Sequence, residues 1–534
     1  MSIYSQAESG TQVHRSRFKR RDRRFGDIGF GLAYPFYTKF VLPGDIWKLS
    51  TDTLIRYQPM LAPSFTGASM RLRLFFVPIR LVEPNAELII TGSKDGVYNP
   101  DTVIPKFGGL FESVPTNGTG FTVKKGGLCD VLFQMPTGFS YETIKDEESM
   151  PAAYYAKAYY RCIWDYYRDE NLETTYDNFE DYVTDKMKTI GQNDPESVNL
   201  KKDYLMSSLP WQLKGIAPRI NSGVQLSFSG DWFSNSVPGT GEVTADMAWT
   251  ISKDSPVNLA AATDAQKATA NENVLNFLNN NSLTSLGFDA AEFRAMMAET
   301  RIFERLARTG SRYTEYLRAN FGTSPSDGTL QRAQFQGGIR IPIVTTEVVQ
   351  TAEDGPNPVG TLRGHGITHS GDNFPTFKAK EFGVLMIIGD VMPQIQYTQG
   401  IDREYTYKSR FDFFNPSFQH LSEQEVRNGE IYIGTDGKND DTFGFQAYAN
   451  ELRSSSQKAF GEMRGTLAYW NQAITFASRP ALNDQLIKAS NYTSSFMKPF
   501  AVTDENPMVI DLGVFGQVWR PMVRYGTPGL VDHL

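Results

Sequence analysis

The chain of 534 residues is 40 % hydrophobic and 13 % aromatic, with a net charge of −7 and a mean hydropathy of −0.37. That is enough apolar material for a large packed core. No apolar run approaches the roughly 18 residues that cross a bilayer, and no apolar segment with a small-residue cleavage site opens the sequence. Two cysteines, Cys129 and Cys162, are too few for a disulfide framework or a thiolate metal site, so both read as small core residues of a chain folding in a reducing cytoplasm.

The charge is unevenly placed. Arg15, Arg17, Lys19, Arg20, Arg21, Arg23 and Arg24 stand against one acid, Asp22. The segment therefore carries about +6 and the rest about −13 (−7 minus +6). Residues 1–34 show no sustained periodicity and read as an extended basic arm, a type of segment that binds polyanions.

Strand patterning begins at Tyr37. Pro43-Gly44-Asp45 sets a turn, and Met70, Leu72, Leu74 and Phe76 alternate with Arg71, Arg73, Phe75 and Val77, the period of a half-buried strand. Residues 83–127 read as irregular connection. Ser149 and Pro151 signal a helix start, with a helix over 151–172 whose polar stripe is Lys157, Arg161, Asp165 and Arg168. Its remaining girth, rich in tyrosine, predicts burial rather than base stacking.

Residues 219–286 are dominated by Gly, Ser, Asn, Thr and Ala, with a short helix expected near 263–279. Phe293, Met296, Thr300, Phe303 and Ala307 form an amphipathic stripe, and a further helix is expected over 312–320. The chain is then strand-like at 339–349, at the continuously apolar run 382–389, and at the shorter stretches 412–418 and 430–433. Ile510, Leu512, Val514 and Val518 alternate with Asp511, Gly513, Phe515, Gln517 and Trp519, giving a late strand with two distinct faces.

Several stretches carry a family likeness. L-P-G-D, R-Y-Q-P-M-L-A-P and L-F-F-V-P-I-R-L lie within 42–81. W-D-Y-Y-R-D-E-N-L closes the tyrosine-rich helix, and K-K-D-Y-L-M-S-S-L-P-W-Q-L-K-G follows at 201–215. R-Y-T-E-Y-L-R-A-N-F-G, P-S-F-Q-H-L-S-E-Q-E-V-R-N-G-E-I-Y and the final Y-G-T-P-G-L-V-D-H-L complete the set in order. Together they resemble the major capsid protein of gokushovirus-type microviruses, small tailless single-stranded DNA phages.

The resemblance implies a mainly β chain, an eight-stranded antiparallel jelly-roll β-sandwich with long helical and loop insertions between strands. Residues 1–34 are then an internal basic arm and 35–218 the first part of the jelly roll with its helical insertion. Residues 219–286 are a variable surface insertion protruding at the threefold axes, and 287–534 are the second part with the terminal strands. It implies an icosahedral T=1 shell of identical copies around circular single-stranded DNA, assembled in the host cytoplasm and displaying a host-attachment surface. Expected partners are other copies of the chain, the genome, internal scaffolding, small DNA-binding and pilot proteins of the virus, and a host receptor. Membrane insertion is not expected.

On this reading Arg15, Arg17, Lys19, Arg20, Arg21, Arg23 and Arg24 are candidate phosphate contacts, because guanidinium groups stay charged and bind phosphate oxygens bidentately. Phe18 and Phe25 are candidate stacking groups for unpaired bases. No catalytic constellation, cofactor fingerprint or phosphate-binding loop is apparent, so an enzyme is not expected. His365 and His369 lie four apart in G-H-G-I-T-H, but the glycines predict a loop and no acidic third ligand is near, so no metal site is expected. The alternative from another class is a secreted β-sandwich carbohydrate-binding protein.

Overall fold

The computed structural model describes residues 15–86, 90, 122–138, 150–212, 214, 294, 296–302, 304, 331–349, 362–418 and 423–525. Among them, β1 (Ser16–Ile28) pairs along its whole length with β12 (Met508–Arg520). β12 pairs on its other side with β3 (Ile46–Tyr57). β3 in turn pairs with β7 (Leu362–Asn373) and the two-residue β8 (Phe377–Lys378), and β6 (Thr345–Val349) closes this six-stranded sheet. A second sheet runs β2 (Tyr34–Val41), β9 (Gly383–Pro393), β4 (Ala68–Pro78) and β5 (Gln334–Ile343). β10 (Glu423–Arg427) and β11 (Thr442–Ala447) form a separate pair, and every ladder is antiparallel.

Side-chain alternation dictates the layering. Successive residues of a strand point to opposite faces. In β3, Trp47, Leu49, Ile55 and Tyr57 are buried, whereas Lys48, Asp52 and Arg56 are exposed. In β4, Phe76 meets Phe377 of β8 at 4.8 Å, toward the six-stranded sheet, while Phe75 meets Tyr166 at 5.0 Å on the other side. That other side is covered by α2 (Tyr154–Tyr166), which lies against β4 and β9, and by α1 (Leu128–Phe133), which lies against β2. α3 (Phe179–Lys188) packs on α2. Because the four-stranded sheet is covered on both faces, all eleven residues of β9 are buried, as its unbroken apolar run predicts. The outer face of the six-stranded sheet carries the exposed residues of β1, β3 and β12.

The tyrosine-rich helix is buried as expected, with Tyr159 and Tyr160 fully inside. Its polar stripe is not solvated. Lys157 pairs with Glu83 at 3.4 Å, Arg161 with Asp165 at 2.9 Å, and the Arg168 guanidinium lies 3.5 Å from the Trp164 ring centroid. The helix is shorter than predicted at both ends. At the C-terminal side the Asp169 carboxylate accepts the N–H groups of Asn171 and Leu172, a local turn that competes with helix continuation. Cys129 and Cys162 are both buried and unpaired with each other.

Other expectations are corrected. The strand over 339–349 is two strands in different sheets, broken at Val344. Residues 412–418 hold turns and the short 3-10 helix Pro416–Phe418, and Asn428–Ile431 is helical, so neither predicted strand forms there. Glu430 at that site caps the helix by accepting the Arg427 N–H. The His365 and His369 segment is not a loop but part of β7. Its glycines are required by packing: a Cβ at Gly364 would sit 2.7 Å from the backbone of Ala62, and one at Gly366 would sit 2.3 Å from the Tyr57 ring.

The chain divides into two compact units, Met1–Gln212 with Thr309–Leu534, and Leu213–Arg308. In the second, residues 296–302 are helical, and the Thr300 hydroxyl donates to the Met296 carbonyl at 2.8 Å. The 219–286 insertion, the helices expected at 263–279 and 312–320, and Phe293, Phe303 and Ala307 lie outside the described residues.

Candidate nucleic-acid interface

The basic segment, expected as an extended arm without periodicity, is strand β1 over Ser16–Ile28. Charges at every second position escaped recognition because Arg and Lys occupy both faces, which hides the period-two signal that apolar residues give. The pairing with β12 divides the predicted contacts into two sets.

One set turns inward. Phe18 is half-buried against the core. The Arg20 guanidinium lies 5.9 Å from the Trp47 ring centroid. Arg24 donates from Nη1 to the Val131 carbonyl at 2.7 Å, and burial pushes its pKa down. Between them, Asp22 pairs with Lys39 at 2.8 Å. Arg15, just before the strand, donates from Nε to the Gly44 carbonyl at 3.0 Å. Phe18, Arg20 and Arg24 are therefore parts of the body rather than free contacts.

The other set, Arg17, Lys19, Arg21, Arg23 and Phe25, is exposed on the outer face. Successive members are about 6.8 Å apart at two residues per step. Arg23 is bound to Asp511 through two hydrogen bonds, one at 2.7 Å, and this guanidinium holds the Asp511 carboxyl below its usual range. Lys19 and Arg21 make no salt bridge among the described residues.

The register adds residues that sequence reasoning missed. Arg17 lies opposite Trp519, Lys19 opposite Gln517 and Arg21 opposite Phe515. Gln517 lies opposite Lys48 of β3. Arg17 and Lys48 approach the Trp519 ring to 5.8 and 5.5 Å, distances at which a cation is attracted to the ring face. Phe25 is 73 % and Phe515 40 % exposed. The signal for these residues was present: Phe515 and Trp519 are aromatic on the non-core face of the late strand, where burial cannot account for them.

The result is an open sheet face on which a row of cations lies beside aromatic rings, the combination that tracks a single-stranded backbone and stacks its bases. Asp52 and Asp511 lie further along the same face, where Asp52 meets His369 at 2.6 Å. The two histidines of β7 are four residues apart on an extended strand, about 13 Å, too far to share one ion.

The family profile described as "Capsid protein (F protein)" matches residues 6–530, and the chain belongs to that capsid protein family. It is similar to three proteins named "Capsid protein VP1". That of Chlamydia phage 1 is 26 % identical, over 99 % of this chain and 97 % of the relative. That of Bdellovibrio phage phiMH2K is 26 % identical, over 96 % and 95 %. That of Spiroplasma virus 4 is 26 % identical, over 98 % and 96 %. The resemblance to gokushovirus-type major capsid proteins therefore holds along the whole chain. The chain is a structural component of the virion and not an enzyme, and the carbohydrate-binding alternative gives way. Among the described residues no helix is long and apolar enough to cross a membrane.

Proposed function

We propose that the chain assembles with copies of itself into an icosahedral T=1 shell. The shell encloses circular single-stranded DNA, held in part by the outer face of β1, β12 and β3. The single observation that carries the genome contact is the row of Arg17, Lys19 and Arg21 on β1 beside Trp519 and Phe515 of β12, with Lys48 and Phe25 on the same sheet face.

The strand order supports a jelly roll. Taking β1, β2, β3, β4, β5, β7, β9 and β12 as its eight strands, one sheet reads β1-β12-β3-β7 and the other β2-β9-β4-β5, two interlocked four-stranded sheets with first and last strands adjacent. On this reading the basic segment is the first strand of the roll, and the insertions are carried in the long connections. The 219–286 insertion is the proposed host-attachment surface. Assembly takes place in the host cytoplasm with internal scaffolding, small DNA-binding and pilot proteins of the virus.

Electron microscopy of the purified protein tests the shell: uniform icosahedral particles are expected, and a persistent monomer overturns the reading. Deleting 219–286 should leave shells intact but stop adsorption to cells, and undiminished adsorption removes the attachment role. For the genome contact, four outward cations engaging phosphates predict an affinity for single-stranded DNA that falls about fifty-fold between 50 and 200 mM salt. A salt-independent affinity overturns the contact.

A further inference from the structure

Away from that sheet face, a cleft of about 360 Å³ opens between the 403–414 segment and the β10–β11 pair. Its lining includes Phe411, Phe414 and Tyr448 with the carboxylates of Asp412 and Glu425, while the Glu451 side chain, also in the lining, is largely buried and held by Arg403, Tyr407 and Gln424. Phe411 is 69 % and Phe414 44 % exposed, and Phe414 stacks on Tyr448 at 5.9 Å. Arg403 lies at the floor but is engaged there, with Nη1 donating to the Glu425 carbonyl at 2.5 Å and to Glu430 Oε1 at 3.3 Å. The Asp412 carboxyl is held down to about 2 by the N–H groups of Lys408 and Ser409, so it stays charged at any physiological pH. The cleft thus presents aromatic walls and net negative charge to solvent, the features that receive a cation flanked by apolar groups.

The same chain carries a segment of the complementary kind. After β12 the backbone runs through Met522, Val523, Arg524 and Tyr525, all exposed, with Val523 at 68 % and Tyr525 at 76 %. The Arg524 guanidinium lies 5.5 Å from the Tyr525 ring centroid. Three apolar side chains in a row around one arginine form an unusual solvated segment but a common interface anchor, since Arg and Tyr are enriched among residues that dominate binding. Within one chain the two surfaces do not meet, because both remain open to solvent.

We propose that the acidic, aromatic cleft of one copy receives the Met522–Tyr525 segment of a second copy. Arg524 enters between Phe411, Phe414 and Tyr448 toward Asp412 and Glu425, and Tyr525 and Val523 cover the exposed rings. This rests on the shell reading, to which it adds one named contact between copies.

The test uses assembled shells. p-Benzoylphenylalanine is placed at position 525, shells are formed from equal amounts of light and ¹⁵N-labelled chains, and adducts are mapped by mass spectrometry after irradiation. The expected adducts fall on peptides containing Phe411, Phe414 or Tyr448 and include mixed light–heavy pairs. Adducts elsewhere, adducts only within like-labelled chains, or no adduct overturns the proposal while leaving the shell reading intact. Absence of shells from the unmodified protein overturns both. As a second arm, R524E and E425R should each raise the concentration needed for assembly about tenfold, as expected for an interfacial charge contact, and the double substitution should recover most of that loss. Unchanged assembly by R524E overturns the proposal.

Discussion

Arg520 donates from Nε to Oδ2 of Asp45 at 3.0 Å, joining residues 475 positions apart. The same carboxylate oxygen accepts the Leu42 N–H at 3.1 Å and the Trp47 indole N–H at 3.2 Å, and Arg520 also reaches the Phe40 carbonyl at 2.8 Å. The P-G-D turn between β2 and β3 is thereby fastened to the end of β12. Asp45 is wholly buried, so removing its cation leaves an unpaired buried charge. R520A is expected to cost about 3–5 kcal/mol, read as a lowered thermal denaturation midpoint. A midpoint equal to wild type would show that the pair is dispensable.

The two faces of β1 separate binding from stability. Replacing Arg17, Lys19 and Arg21 together by Gln should flatten the salt slope for a single-stranded oligonucleotide by about 2, at roughly 0.7 per lost phosphate contact, with little change in melting temperature. Replacing Arg20 and Arg24 should do the reverse, because these side chains lie on Trp47 and Val131. Fluorescence anisotropy across a salt series, beside thermal melts, checks both halves.

Gly366 and Gly371 lie on one strand but face different surroundings. A Cβ at Gly366 would sit 2.3 Å from the Tyr57 ring, which is held against Phe500 at a centroid distance of 5.3 Å. A Cβ at Gly371 would meet only the Thr51 carbonyl at 3.5 Å. G366A should therefore destabilise by about 1–3 kcal/mol through overpacking. G371A should stay within about 0.5 kcal/mol. Chemical denaturation of the two variants distinguishes them.

Asp412 gives the 408–412 turn an acid limit. Its carboxyl is depressed to about 2 by the N–H groups of Lys408 and Ser409, against an ordinary value near 3.9. A depressed carboxyl stabilises fully above the unfolded value and loses that contribution as pH falls toward the folded one. Protection of the Lys408 and Ser409 amides, measured against their intrinsic exchange rates, should therefore hold down to about pH 4 and fall between about pH 4 and pH 2. D412A should remove the protection at neutral pH.

How far the sequence was legible varied from element to element. β4, β9 and β12 were readable because their apolar residues follow the burial that one or two covered faces impose. β1 was not, since its cations occupy both faces and only the partner strand decides which are buried. The break at Val344 was hidden because Ile339, Ile341 and Ile343 run on smoothly into Val344, and the change of sheet is a tertiary event. α3 carried readable signals, with Asn178 as N-cap, Glu180 and Asp181 in its first turn and Lys186 and Lys188 in its last, yet its weak apolar stripe masked them. At the candidate interface the charges of β1 and the outward aromatics Phe515 and Trp519 were visible in the sequence, whereas their adjacency, and the membership of Lys48, came only from cross-strand register.

The pairing of β1 with β12 also sets a timetable. Arg23 and Asp511 are 488 residues apart, so at about 5–20 residues per second a ribosome needs roughly 25–100 s to deliver the mate of the first strand. Until β12 emerges, the nascent polypeptide trails a basic strand with no mate, although the side-chain partners of Arg15, Arg20 and Arg24 have long since been made.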